Sequence, residues 1–478
     1  MCLALILIPF FSIIILNLPP REVNKRIAFG LVLILTLGQM FLVFFPGCNF
    51  WKMNSGVFGS MLKIDLLVDN LTLIMLFCIG LIVLVTLFTS RQFIGPIEKQ
   101  RNFINLLLVV LIGMNGTVLA RDIFSLYVFL EITAVASFIL ISFDKELLGL
   151  EGAFKYLLLS AIATILMLSS IALLLILTGS TGFSEVQAVL KTLNPNNPLL
   201  ILAVGLFLAA LFIKSGLIPF HGWLPDAYSS APASVSVLLA GIVTKVAGVY
   251  ALIRIMVSVL GFSPASQAVL LLIGAVSIVL GALLSLTQSD FKRMLAYSSI
   301  SQVGYIILGL GSGTALGIVG AVFHIFNHCV FKSLLFINSA AIEKQTGIRD
   351  MDKLSGLAQK MPVTGLSSLL ASLSAAGIPP LAGFWSKLII IIALWSAGYY
   401  TYAVIGILAG ILTLAYFLSL QRRVFFGKLT REFINVKEAS FSLVFPMVLL
   451  SVIIIGVGVF TPVLLDKFIL GLGNILGG

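Results

Sequence analysis

Runs of about twenty apolar residues recur from one end of this chain to the other, separated by short stretches of charge, proline and glycine. A helix rises 1.5 Å per residue, so about twenty apolar residues cross the hydrocarbon core of a bilayer. Of the 478 residues, 60% are hydrophobic and only 10% charged, and the mean hydropathy is +1.17. A soluble domain runs near ~25% charged. A water-soluble fold is therefore excluded, and no large soluble domain fits between the spans. The expected fold is all-α and polytopic.

Apolar runs and their punctuation predict fourteen spans, near 2–19, 27–46, 66–89, 103–120, 123–142, 154–178, 199–220, 233–258, 266–287, 296–311, 314–341, 362–397, 400–421 and 440–463. The Lys/Arg distribution tests this layout, because cytoplasmic loops concentrate positive charge. Taking the first inter-helix loop as inside, nineteen of the 29 Lys and Arg fall in inside segments and six outside; the six include Arg121, Arg254 and Lys467. The asymmetry puts both termini on the non-cytoplasmic side and explains the net charge of +11 without nucleic acid. The first cation is Arg21, after the first apolar run, so an uncleaved first span is expected rather than a signal peptide.

Four cations remain, and all fall within spans: Lys214, Lys245, Lys332 and Lys387. A charge near the bilayer centre costs ~2.5–3.5 kcal/mol on insertion scales, so it is kept there for a reason. Lys245 is far from either end of its apolar run and cannot snorkel. Glu131 is the one carboxylate deep in a span and needs a partner, since an unpaired buried carboxylate takes up a proton. A Glu–Lys pair that opens and closes is a proton switch; one that stays closed is a structural ion pair. His324, His328 and Lys332 follow at intervals of four on one helix face, a stripe that can relay protons through water. Metal binding by His324 and His328 has no evident third ligand.

Two breaks recur. Gly216, Pro219 and Gly222 are spaced like Gly377, Pro380 and Gly383, with Pro379 beside Pro380, 161 residues further on. Each break adjoins a buried lysine. Paired interrupted helices in corresponding places suggest internal repeats lining an ion path. The expected divisions are N-terminal helices in 1–102, a first repeat in 103–260, a second in 261–426, and the last helix and tail in 427–478.

Cys2, Cys48, Cys78 and Cys329 form no C-x-x-C pair, which excludes the usual frameworks for Fe–S clusters, structural zinc and c-type haem. No phosphate-binding G-x-x-x-x-G-K-[ST] loop occurs, so ATP is not the energy source. The chain is expected to carry no cofactor, no metal and no redox centre of its own.

The stretches DIFSLYVFLEI, KSGLIPFHGWLPDAYSSAPASVSVLLAGIVTKVAGVYALIR, TQSDFKRMLAYSSISQVGYIILG, FHIFNHCVFKSLLF and AGIPPLAGFWSK resemble the antiporter-like subunits shared by Mrp sodium/proton antiporters, energy-converting membrane-bound hydrogenases and respiratory complex I. The resemblance covers spans 5 to 12. SLYVFLEI and GFWSK look closest to the D-type Mrp subunits and their hydrogenase relatives. The end of the sequence about fifteen residues after span 14 disfavours the distal complex I subunit, which carries a lateral helix.

The resemblance implies fourteen helices with two inverted five-helix repeats in a prokaryotic plasma membrane. It implies that Glu131 pairs with Lys214, that Lys245 carries charge toward the centre, and that His324, His328 and Lys332 continue the path to Lys387 as terminal exchange site. Asp226 and Asp290 match family loop positions and are read as structural. The implied partners are other membrane subunits, further antiporter-like subunits among them, and a redox module in some complexes; the implied ions are H⁺ and Na⁺. Other readings of the same residues are a membrane scaffold subunit with static ion pairs and a stand-alone carrier of an organic solute.

Overall fold

The computed structural model describes residues 2–18, 25–43, 52–58, 62–95 and 97–464. The expected loop around Arg21 and the tail with Lys467 lie outside the described residues. Among the described residues, eleven helices are long and apolar enough to cross a membrane. Four shorter apolar helices, Ala4–Asn17, Ile27–Leu42, Pro362–Ala376 and Ala382–Ser396, accompany them. The chain is a multi-pass membrane protein.

Several helices outrun their apolar stretches. The sixth expected span begins near 154, but its helix runs Leu147–Thr178, because Lys155 pairs with Glu151 one turn back at 2.6 Å and lets the polar end continue as helix. The helix expected from 296 begins at Phe291, where the Asp290 side chain caps the Arg293 amide at 2.8 Å. Strands Lys52–Phe58 and Leu62–Leu67 pair antiparallel in what the sequence reads as a plain outside loop. Asp226, expected in a loop, lies in the short helix Trp223–Ser230.

The described residues form two units. One takes those of Met1–Leu87, Ile94–Gly216 and Ile242–Ser263; the other takes Phe88–Phe93, Leu217–Gly241 and those of Pro264–Gly478. In the first, Ile97–Leu119 packs on Ile123–Ile141 so closely that a Cβ at Gly113 would lie 2.8 Å from the Thr133 backbone nitrogen. Small residues at such crossings let membrane helices approach. In the second, Pro264–Leu286 packs on Phe291–Gly311 in the same manner, with a Cβ at Gly281 placed 2.7 Å from the Ser301 nitrogen.

Both expected breaks are present. Pro198–Ser215 ends at Gly216, whose φ of 67° is left-handed, and a cis Ile218–Pro219 bond follows. Pro362–Ala376 ends at Gly377, φ 87°, and a cis Pro379–Pro380 bond precedes Ala382–Ser396. Between the breaks, Ala233–Leu260 is continuous but irregular: Leu239–Val243, Lys245–Tyr250 and Met256–Leu260 are wound as π-helix. Wider turns of this kind are frequent at functional sites.

Candidate ion-translocation site

In the first unit Lys214 lies in the last turn of Pro198–Ser215, and its ammonium is 2.8 Å from Glu131 Oε1. The same oxygen accepts the Thr164 hydroxyl at 2.8 Å, and Lys214 reaches the Ser160 hydroxyl at 3.4 Å. The pair is lopsided: the Lys214 side chain is 3% exposed and that of Glu131 25%. Burial removes solvent screening from the lysine, while the carboxylate keeps an open side through which its field can be altered. Lys245 is fully buried on the π-wound segment. That segment packs directly on the Lys214 helix, for a Cβ at Gly248 would lie 2.5 Å from Ser215. The structure places Glu131 beside Lys214, the pairing that the resemblance implies; the sequence gives no sign of Ser160 and Thr164 beyond their spacing of four in an apolar run.

In the second unit His324, His328 and Lys332 share one face of Ala315–Thr346, and all three are fully buried. The two imidazole rings stack 6.4 Å apart at 16°. His324 Nδ1 is 2.9 Å from the Ser386 hydroxyl, which also accepts the Asn327 amide at 3.0 Å. Lys332 donates to the Leu295 carbonyl at 3.1 Å and to the Ser298 hydroxyl.

Lys387 is held by a helix end. A helix leaves its last four carbonyls without intrahelical partners. At the end of Pro362–Ala376, Leu373 and Ser374 are satisfied by the amides of Gly377 and Ile378, and Ala375 accepts the Lys387 ammonium at 2.6 Å. The negative end of the half-helix dipole favours a cation there. The Tyr305 ring lies 4.3 Å from the same ammonium and adds a cation–π contact. The Tyr305 hydroxyl is anchored on the Gly406 carbonyl at 2.6 Å. Sequence reasoning missed Tyr305 and Ser386, although Ser386 directly precedes Lys387.

Arg254 corrects an expectation. It is no outside surface charge but 2% exposed inside Ala233–Leu260, gripping Asp69 with two nitrogens at 2.6 and 2.8 Å. Arg121 lies 3.3 Å from the same carboxylate and donates to the Val118 and Ala120 carbonyls at a helix end. Burial alone would raise the Asp69 carboxyl, but the two guanidinium groups outweigh it and hold it well below the usual carboxylate range. Asp226 and Asp290 are structural ties, to Arg293 at 2.7 Å and to Arg349 at 3.3 Å. Among the described residues no three His, Cys, Asp or Glu side chains converge to hold a metal ion.

Residues 120–413, which contain every one of these lysines and histidines, match the family described as NADH:quinone oxidoreductase/Mrp antiporter, TM. The chain belongs to this family. Among relatives in the family, the D-type subunit of the Na⁺/H⁺ antiporter of Alkalihalophilus pseudofirmus is 32% identical over 395 residues, covering 82% of this chain and 80% of that one. The N-type subunit of the NADH-quinone oxidoreductase of Desulforudis audaxviator is 36% identical over 349 residues, 71% and 69% of the two chains. The fold of the family is equally plain in solved structures. A chain of the Mrp complex from Dietzia sp. superposes with a TM-score of 0.90 at 23% identity, over 99% of this chain and 97% of that one. A chain of the archaeal membrane-bound sulfane sulfur reductase gives 0.89 at 26% identity, over 99% and 97%.

Proposed function

We propose that this chain is the antiporter-like, ion-translocating subunit of a multisubunit membrane complex, that it moves protons or exchanges them with sodium, and that the Glu131–Lys214 pair is its switch. An event in a neighbouring subunit changes the field on the partly exposed carboxylate. Opening the pair strips Lys214 of its counter-charge and drives its proton to Lys245. The charge then passes along His324, His328 and Lys332 and leaves through Lys387. Closing the pair resets the inlet. Two unit charges 4 Å apart at an effective dielectric of 20 interact by ~4 kcal/mol, enough to switch occupancy without large backbone motion.

One observation carries the reading: a buried lysine at a helix break is bound to a carboxylate that remains partly open. The membrane layout follows the same reading. The two N-terminal helices and the broken Pro362–Ala376/Ala382–Ser396 pair, each taken as a span beside the eleven long helices, make up fourteen. The recurrence of a left-handed glycine and a proline break 161 residues apart supports paired five-helix repeats, 103–260 and 261–426, flanked by 1–102 and 427–478. We place both termini on the non-cytoplasmic side of a prokaryotic plasma membrane, from the Lys/Arg asymmetry. The partners are further membrane subunits, with redox chemistry, where the complex performs any, done elsewhere.

Replacing Lys214 or Glu131 with alanine in the assembled complex tests the switch. Coupled ion translocation in sealed vesicles should fall at least tenfold while the complex still assembles. Unchanged translocation would leave the scaffold reading, with frozen ion pairs, in its place.

A further inference from the structure

The half-helix Pro362–Ala376 carries polar groups that the path above does not use. Thr364, Ser368 and Ser372 recur at intervals of four along one face, with Ser367 beside them, and all are buried. At about 1.5 Å per residue this face runs some 16 Å from Thr364 to the Ala375 carbonyl that holds Lys387. Its other end meets a carboxylate: Glu438 accepts the Thr364 hydroxyl at 2.6 Å and the Val363 amide at 2.7 Å, and is only partly buried. A single half-helix therefore joins an accessible glutamate to a buried lysine through a row of hydroxyls.

Two further side chains turn this row from a packing feature into a polar passage. Gln421 donates its amide to Ser368 at 2.8 Å and to Ser372 at 3.0 Å, and Asn338 accepts from Ser367 at 3.0 Å. Both amides are at least 99% buried, yet Gln421 Oε1 and Asn338 Nδ2 have no hydrogen-bond partner among the described residues. A buried amide with one end unmet costs free energy, and ordered water is the usual remedy. The Thr364 and Ser367 hydroxyls donate to Glu438 and Asn338, whereas those of Ser368 and Ser372, which accept from Gln421, each still carry a proton to donate. Hydroxyl donors at Ser368 and Ser372, an amide donor at Asn338 and an amide acceptor at Gln421 thus stand along the row for water to bridge.

We propose that the Thr364–Ser368–Ser372 face, with Asn338 and Gln421, is a hydrated branch through which Lys387 exchanges protons with the side of the membrane that Glu438 faces. This rests on the reading of Lys387 as an exchange group, and it gives that group a route other than the histidine stripe. Glu438 collects or releases the proton at the mouth, and the half-helix hydroxyls orient the waters between.

The test uses the assembled complex in sealed vesicles, with the four native cysteines replaced by alanine and single cysteines introduced by Ser368→Cys, Ser372→Cys or Glu438→Cys. A thiol reacts as its thiolate, which needs water, so labelling by a small membrane-impermeant methanethiosulfonate cation reports hydration. Both serine positions should label from the side that labels Glu438→Cys and from that side alone. No labelling at either position, or labelling from the opposite side, overturns the branch. This readout does not depend on translocation, so it stands even where Lys387→Ala fails to slow the ion. Translocation supplies a second arm. Ser372→Val should lower it at least tenfold, and Ser372→Thr, which keeps the hydroxyl, should stay within twofold of the parent. Full activity in Ser372→Val, or equal loss in both variants, contradicts the proposal.

Discussion

Each intramembrane lysine with its partners in view solves the same desolvation problem differently. Lys214 is matched by a carboxylate and the Ser160 hydroxyl, Lys332 by a carbonyl and a hydroxyl, and Lys387 by the negative end of a half-helix and an aromatic face. Lys214 rests on a full opposite charge that is partly exposed and that a neighbour can perturb, which is why the switch is proposed there. Arg254 with Asp69 shows the static counterpart. Removing one partner of a buried pair leaves an uncompensated charge and costs about 3 kcal/mol or more. Asp69→Asn should therefore lower the thermal stability of the complex by about that amount, with a smaller loss when Arg254→Met accompanies it. The sign of the pH dependence follows from the carboxyl being held below its ordinary value. The stabilisation is complete above the unfolded carboxyl's pKa of ~3.9 and disappears as pH falls through the lower folded value. The gap in melting temperature between parent and Asp69→Asn should be flat from about pH 5 to 8 and narrow below about pH 4.

At the scale of elements, helices and breaks were legible because their causes are local. An apolar run fixes a span, and glycine before proline fixes its interruption, so both breaks and the one-face histidine stripe follow from spacing. What stayed hidden depends on partners far along the chain. Arg254 reads as a surface cation until Asp69, 185 residues away, is beside it. The π-wound turns around Lys245 have no local signature, since LAGIV and KVAGVY would wind as ordinary helix elsewhere. The paired strands Lys52–Phe58 and Leu62–Leu67 read as loop because the pairing continues into Ala120 and Arg121, through the Leu66–Ala120 bridge and the Arg121 amide on the Asp65 carbonyl. The second break offers a local test. Gly377 has φ 87°, and a Cβ there would lie 3.1 Å from Lys387 Cδ, whereas Gly398, φ 82°, has open space. Alanine at either position strains the backbone by about 1–2 kcal/mol. Melting curves should show similar losses for both, while translocation should fall several-fold for Gly377→Ala alone.

At the scale of the molecule, the span layout sorts the charges into those between spans and a remainder within them, to which the proposed switch assigns the work. Most of the 29 cations mark one side of the membrane in the span layout, and four lysines stay within it with Glu131 and two histidines. The family supplies the context, membrane subunits of antiporters and respiratory complexes, and the Glu131–Lys214 contact is the geometry on which the proposed switch rests. Lys214 and Lys245 lie on segments packed against each other at Ser215 and Gly248, and in the proposed switch neutralising both removes the inlet. The decisive measurement is coupled ion translocation by the assembled complex carrying Lys214→Met and Lys245→Met together. The switch account predicts translocation at or near background with subunit composition intact. Translocation at the parent rate would contradict it and leave these lysines as structural ion pairs.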